Sequence, residues 1–259
     1  MSNSPLVVER AAGVVQLRFN RPESLNALDV GLAEALLEAC RSLASDSAVR
    51  VVVLSGNGRA FMAGGDLAAM RAAPVQAADA LIQPLHQVVQ LLAEMPKPVL
   101  ASVHGVAAGA GMSLALVADL AIAAEGARFN FAYTDIATSC DGGASWALPR
   151  LLGLRKALEI ALLCDSFDAG EALRLGLVSQ VVAPERLAEA TQELAERLAS
   201  RAPQALAQLK RLLRASAENS LAQQLQAEHV AFLDCAQRPE FVTAIDAFYA
   251  RRAGRSVRG

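Results

Sequence analysis

Two short loops of small residues are the segments of this sequence best suited to chemistry. The first is Phe61-Met62-Ala63-Gly64-Gly65-Asp66, and the second is Val103-His104-Gly105-Val106-Ala107-Ala108-Gly109-Ala110-Gly111. Small residues let a ligand touch the main chain, because no side chain stands in the way. Each loop follows a β-branched, strand-like run and leads into a helical pattern, so free backbone N–H groups aim at anything negative. Two such loops side by side would hold one oxyanion from two directions. Ser113, within Gly111-Met112-Ser113-Leu114-Ala115, partly resembles a nucleophile elbow. A serine hydrolase built on it would need Asp and His partners, and His229 follows in the required order without a local signature. A serine on a buried helix face explains the same residues.

Hydrophobic period and breaker residues define the elements that must carry these loops. Leu6 to Arg10 and Val14 to Asn20 read as a hairpin around Gly13. Asp29 caps a helix running to Ser45, with Leu32, Leu36, Leu37 and Leu43 as its apolar residues. Arg50 to Ser55 and Pro98 to Val103 read as buried strands, and Leu120 to Ala123 as a short one. A helix is expected over Gln76 to Met95, interrupted early by Pro84. Others are expected over Gly109 to Val117, Gly142 to Leu152, Leu154 to Cys164 and Ala169 to Leu175. Phe129 to Asp141 is a mixed stretch ending in a loop, and Leu177 to Val182 a last strand. From Pro184 onward helices follow one another, with breaks near Ala202-Pro203, Asn219 and Arg238-Pro239. This order predicts α/β layers with an all-α end.

The chain of 259 residues is 54% hydrophobic and 19% charged, enough for a sizeable core. A net charge of −2 and a pI near 6.0 leave no basic stripe, so no nucleic-acid partner is expected. The one basic cluster, Arg251, Arg252, Arg255 and Arg258, reads as a solvated end, with help to an anionic ligand as the sharper alternative. Cys40, Cys140, Cys164 and Cys235 show no C-x-x-C and no His at zinc spacing, so no metal site is expected. Reduced thiols in a cytoplasm fit them, with Cys140 a buried small hydrophobe. Met1 to Arg10 lacks a basic-then-apolar pattern. Val99 to Ala118 is uncharged, yet its β-branched start, three glycines and Ala/Leu-rich end read as strand, turn and buried helix, so no membrane association is expected.

Several segments resemble one family. Arg21-Pro22-Glu23-Ser24-Leu25-Asn26-Ala27-Leu28, Phe61 to Leu67, and Pro96-Lys97-Pro98-Val99 with the second loop are similar to the crotonase (enoyl-CoA hydratase/isomerase) superfamily. Gly142-Gly143, Leu148-Pro149-Arg150-Leu151-Leu152-Gly153, Ala169-Gly170-Glu171-Ala172 and Gly176-Leu177-Val178 continue the match, which runs from about residue 5 to 255. The resemblance implies an α/β spiral of β-β-α repeats. Residues 1–200 would form the acyl-CoA-binding core, and 201–259 a helical region for assembly as a homo-trimer or hexamer. The substrate would be an acyl-CoA thioester, with no further cofactor.

Carried over by position, the resemblance places oxyanion donors at the N–H groups of Gly65 and Ala110. It places Leu25, Ala27, Ala63, Gly64, Asp66, Leu67, Val106, Ser113 and Ile136 along CoA and the acyl group. The two glutamates with which the family's hydratases activate water fall on Ser113 and Tyr133. Neither is a carboxylate. Asp141 matches the aspartate of isomerising branches and of the benzoyl-CoA dehalogenase branch, whose His and Trp fall on His86 and Tyr133. Asp141, His86 and Tyr133 are therefore the expected catalytic group. Asp66 reads as a helix cap, His104 and His229 as structural, and Trp146 and Phe131 as core. The leading function is double-bond or ring isomerisation through an enolate with Asp141 as base. Dehalogenase-like or hydrolytic use of Asp141 as nucleophile, weak hydration, and a catalytically silent CoA binder stay open.

Overall fold

The computed structural model describes residues 4–256. Met1 of the N-terminal segment and Arg258 of the basic tail lie outside them. The chain divides into two compact units at Ser200–Arg201.

The first unit runs β1 (Leu6–Ala11), β2 (Val14–Phe19), α1 (Val30–Ser45), β3 (Val51–Gly56), α2 (Leu67–Ala72), α3 (Pro74–Glu94) and β4 (Val99–Val103). It continues with β5 (Val106–Ala108), α4 (Ala110–Val117), β6 (Leu120–Ala124), β7 (Arg128–Asn130), α5 (Ala144–Leu152) and α6 (Leu154–Leu163). β8 (Phe167–Asp168), α7 (Ala169–Arg174), β9 (Gln180–Val182) and α8 (Leu187–Ala199) complete it. Six strands form one sheet in the order β1-β2-β3-β4-β6-β9. Only β1 is antiparallel to its neighbour there. The central strands β3, β4 and β6 are almost wholly apolar, as strands covered on both sides require, while β2 carries Gln16 and Arg18. One face packs Leu17, Val52 and Leu54 with Leu32 and Leu36 of α1 and Leu85 and Leu92 of α3. The other packs Val14, Val51 and Leu100 with Leu187, Ala190 and Leu194 of α8. Each such leucine contributes about 1.5–3 kcal/mol by burial.

A second, smaller sheet, β5-β7-β8, builds the layer that carries the loops. Single parallel bridges extend the same pattern, Met62 to Ala107 and Leu28 to Gly65. Each turn of the chain therefore places a strand in the large sheet, then a strand or one bridging residue in the second layer, then a helix. β2, β3, β4 and β6 all begin such a turn. The strands β5, β7 and β8 are two or three residues long, too short for a hydrophobic period to reveal. The expected strand from Leu177 shortens to Gln180–Val182.

The hairpin, α1 and the strand leading into each glycine loop lie where the pattern puts them. Pro84 does not interrupt α3, which is helical from Pro74 to Glu94. Burial of Leu81, Leu85, Val88 and Leu92 outweighs the one backbone bond a proline removes. Trp146 is not core: it is 43% exposed, and the Arg150 guanidinium lies 4.3 Å over its ring. Phe131 is buried, and Cys140 is half-buried rather than buried.

The second unit holds α9 (Pro203–Ala215), α10 (Leu221–Ala236) and α11 (Pro239–Ser256). Ser220 and Gln223 form a reciprocal capping box at the start of α10. Leu213, Leu221, Phe232, Phe248 and Tyr249 are among its exposed large apolar residues. Arg251, of the basic tail, is exposed on α11.

Gly111 shows how closely the second layer seats α4. A methyl group there would lie 2.1 Å from the Met62 carbonyl oxygen, so the backbone would have to move. Gly111→Ala should destabilise the protein by about 1–3 kcal/mol, the usual range for overpacking. Thermal unfolding should show a midpoint lower by about 3–10 °C; an unchanged midpoint would contradict this packing.

Candidate active site

The two glycine loops meet in the second layer. Gly64 has φ +107° and Gly109 φ +50°, a region where glycine avoids the strain a side chain would add. A methyl on Gly109 would lie 3.5 Å from Gly64 Cα, and one on Gly64 3.4 Å from the Ala108 carbonyl oxygen. The two loops thus lie within one methyl group's reach of each other.

Pairing within the layer fixes which donors stay free. Leu28 N–H donates to Gly64 C=O at 2.7 Å, and Asp66 N–H donates to Leu28 C=O at 2.9 Å. The bridge runs through the neighbours of Gly65, so the Gly65 N–H points away from Leu28. Gly109 N–H donates to Asn130 C=O at 3.1 Å, and α4 begins at the next residue. Ala110 N–H therefore belongs to the first helical turn, which has no intrahelical acceptor. Among the described residues, neither the Gly65 nor the Ala110 N–H has a protein acceptor. One residue past each of these glycines lies an N–H without a protein acceptor, and the positive end of α4 favours an anion at the Ala110 N–H.

Side chains brace the first loop. Asp66 caps α2 by accepting from Ala68 N–H at 3.2 Å. Arg21 lies 3.1 Å from both Asp29 and Asp66, and also donates to the Ala27 carbonyl. One guanidinium thus joins the caps of α1 and α2 to the Leu25–Leu28 segment. Asn26 is fully buried, accepts from Arg21 N–H at 2.9 Å, and donates to the Asn57 and Ala60 carbonyls at 2.8 and 2.7 Å. The bracing roles of Arg21 and Asn26 are not apparent from sequence. A buried asparagine beside an arginine was their only signal.

The acid stands at the start of α5. Tyr133 donates its hydroxyl to Asp141 Oδ1 at 2.6 Å, while Oδ2 accepts nothing among the described residues. Ser113 Oγ lies 2.9 Å from the Tyr133 hydroxyl, 3.2 Å from Asp141 C=O and 3.2 Å from Gly109 C=O. Ser113 sits on α4, one turn after Gly109, so these bonds put Asp141 beside the helix that presents Ala110 N–H. Burial, then repulsion from the Asp141 carboxylate, pushes the Tyr133 hydroxyl far above the ordinary tyrosine range. Tyr133 is a donor here, never a phenolate, at any ordinary pH.

The structure brings together Ser113, Tyr133 and Asp141, beside the helix that begins at Ala110. Ala63 N–H donates to Leu25 C=O at 3.1 Å, so Leu25, Ala27, Ala63, Gly64, Asp66 and Leu67 form one rim. Val106 C=O accepts from Met62 N–H within the layer, and Ile136 is exposed on the turn after Tyr133. His86 is exposed on α3. Leu85 and Val89 of the same helix approach Gly142 and Gly143, the residues after Asp141. No cluster of three potential metal ligands exists among the described residues, and none of the described helices is long and apolar enough to cross a membrane. The described cysteines are free.

A two-layer α/β spiral with an anion-ready pair of backbone donors beside a carboxylate is the architecture of the crotonase type. A family model described as enoyl-CoA hydratase/isomerase matches residues 9–255, and the chain belongs to that family. It is 35% identical over 245 residues to the 1,2-epoxyphenylacetyl-CoA isomerase of Escherichia coli K12, covering 93% of this chain and 94% of that protein. It is 34% identical over 203 residues to 4-chlorobenzoyl coenzyme A dehalogenase-2 of an Arthrobacter species, covering 77% and 74%. The crystal structure of an enoyl-CoA hydratase from Bacillus anthracis superposes with a TM-score of 0.92 at 30% identity, covering 95% of this chain and 96% of that one. Relatives thus carry isomerase, dehalogenase and hydratase names on one fold.

The environment of Tyr133 has a spectroscopic consequence. The chain has two tyrosines. Through the ordinary tyrosine range, around pH ~10, the phenolate absorbance change should be the same in the wild type and in Tyr133→Phe. Loss of half the signal in the variant would contradict the buried, acid-bonded hydroxyl.

Proposed function

We propose that this protein isomerises an acyl-CoA thioester by moving a proton, with Asp141 as base and the enolate oxygen held by the Gly65 and Ala110 N–H groups. The observation that carries the reading is a carboxylate tied by one oxygen to Tyr133, with its other oxygen unbonded, beside a helix whose first N–H is free. Asp141 Oδ2 would take a proton from the carbon next to the thioester carbonyl. The electron pair of that C–H bond moves into the carbonyl, giving an enolate. The protonated acid returns the proton to the far carbon of the same unsaturated system. One group serves both steps, so no second acid is needed. The N–H pair stabilises charge that exists only in the enolate, and removal of one such donor typically costs about 10²–10³ in rate.

Hydration asks for more. Water must lose a proton as its oxygen adds to the far carbon while the carbon next to the thioester carbonyl gains one, and the positions that resemble the hydratase glutamates are Ser113 and Tyr133. A tyrosine whose hydroxyl is kept protonated offers no base for water. A nucleophilic Asp141 is the second reading, and the likeness to the Arthrobacter dehalogenase favours it. In that reading His86, exposed on α3, would be the histidine partner of Asp141. In the leading reading His86 has no step. The rim from Leu25 to Leu67 would take the CoA arm, with Val106 and Ile136 toward the acyl group. Assembly through the apolar faces of the second unit, as a trimer or hexamer, belongs to the same reading, as does a reducing compartment such as the cytoplasm.

Asp141→Asn keeps size and polarity and removes the base. It should lower isomerisation of 3-hexenoyl-CoA, and deuterium uptake from heavy water, by about 10²–10⁴. The wild type should hydrate crotonyl-CoA far more slowly than it isomerises. Fast hydration, or exchange that survives the substitution, would overturn the assignment. An acyl group trapped on Asp141 would move it to the nucleophilic reading.

A further inference from the structure

We propose that Ser113 is a positioning residue, which ties the Asp141–Tyr133 pair to the helix that presents the Ala110 N–H. The proposal rests on the reading of Asp141 as base. It concerns what holds that base in place.

Asp141 needs such a device because of where it lies. The stretch from Thr134 to Ser139 is exposed, and Cys140 and Asp141 are only half-buried. Loop segments of this kind hold a side chain loosely. Helix α4, by contrast, is buried at every residue from Ala110 to Val117. It also carries one of the two oxyanion donors. An acid that must reach a carbon next to a held oxygen has to keep a fixed distance from that donor.

The proton count sets the direction of the network. The tyrosine hydroxyl has one proton, and the charged Asp141 Oδ1 at 2.6 Å is the strongest acceptor near it. Tyr133 therefore has only lone pairs left for Ser113. Ser113 also has one proton and three acceptors in reach: Tyr133 Oη at 2.9 Å, and the Gly109 and Asp141 carbonyls at 3.2 Å. Gly109 C=O is already served by Ser113 N–H at 2.9 Å. The chain then runs from Ser113 to Tyr133 to Asp141, each donor polarised by the one before it. Ser113 is 1% exposed and Tyr133 6%, so no bulk water competes for these bonds.

Shape reinforces the same point. A methyl on Gly142 would lie 2.8 Å from Ser113 Cβ. The backbone next to the acid thus rests directly on Ser113. A longer residue at 113 would push Gly142, and Asp141 with it, away from α4.

The test is a double-mutant cycle on isomerisation of 3-hexenoyl-CoA, with Ser113→Ala, Tyr133→Phe and the pair. Ser113→Ala should lower kcat about tenfold, the scale of one buried hydrogen bond, with KM changed less than about twofold. In the Tyr133→Phe background the same change should cost less than about twofold, because the hydroxyl it acts through is gone. Ser113→Cys, a weak donor, should fall between serine and alanine. Independent, multiplying losses, or a raised KM with kcat kept, would overturn the proposal and leave Ser113 as packing. Asp141→Asn, run in parallel, separates the two claims. A loss there with none at Ser113→Ala rejects only the positioning role. No loss at Asp141→Asn rejects the base and this role together.

Discussion

The contact between Gly64 and Gly109 is the constraint on which the site depends. Two chain segments 45 residues apart in sequence approach there, and the positive φ of each residue favours glycine. Gly65 and Ala110 each follow directly on one of these glycines. The approach also explains the bracing around the first loop. Arg21, the Leu25 carbonyl and the Leu28 bridge hold the 63–66 segment from one side, Asn26 holds Ala60 just before it, and β5 pairs with Met62 from the other. A pair of donors that does not reorganise during reaction needs this support, because any motion of either loop weakens both bonds to the oxygen.

The large sheet contributes indirectly. β2, β3 and β4 are parallel, so their carboxyl ends emerge on one side, and the second layer is assembled from the residues just beyond those ends. Burial of apolar surface on both faces of the sheet makes those ends rigid. The chemistry is thus concentrated where the chain leaves the sheet, the place where free N–H groups and small residues can face a ligand. Asp141 comes from the later turn after β7, and reaches the same place only through Tyr133 and Ser113.

Much of this was legible in the sequence, for physical reasons that differ by element. The two loops were legible because glycine has few other uses between a strand and a helix. Asp29 and Asp66 were legible as caps because a carboxylate before a helix has a free N–H to accept from. The strands β5, β7 and β8 were not, since two or three residues carry no period. Pro84 misled because helix propensity is local, while the burial of α3 is not. Trp146 misled because size suggests a core, whereas its ring lies half in solvent against Arg150. The Ser113–Tyr133–Asp141 network was invisible because its members are 20 and 8 residues apart, and only the fold brings them together.

The most direct test is a crystal structure of the Asp141→Asn protein with 3-hexenoyl-CoA bound. The account predicts the thioester oxygen at about 2.7–3.1 Å from both the Gly65 and Ala110 nitrogens. It also predicts the side chain at position 141 facing the carbon next to the thioester. A thioester oxygen bound away from either nitrogen, or an acyl chain out of reach of position 141, would contradict it.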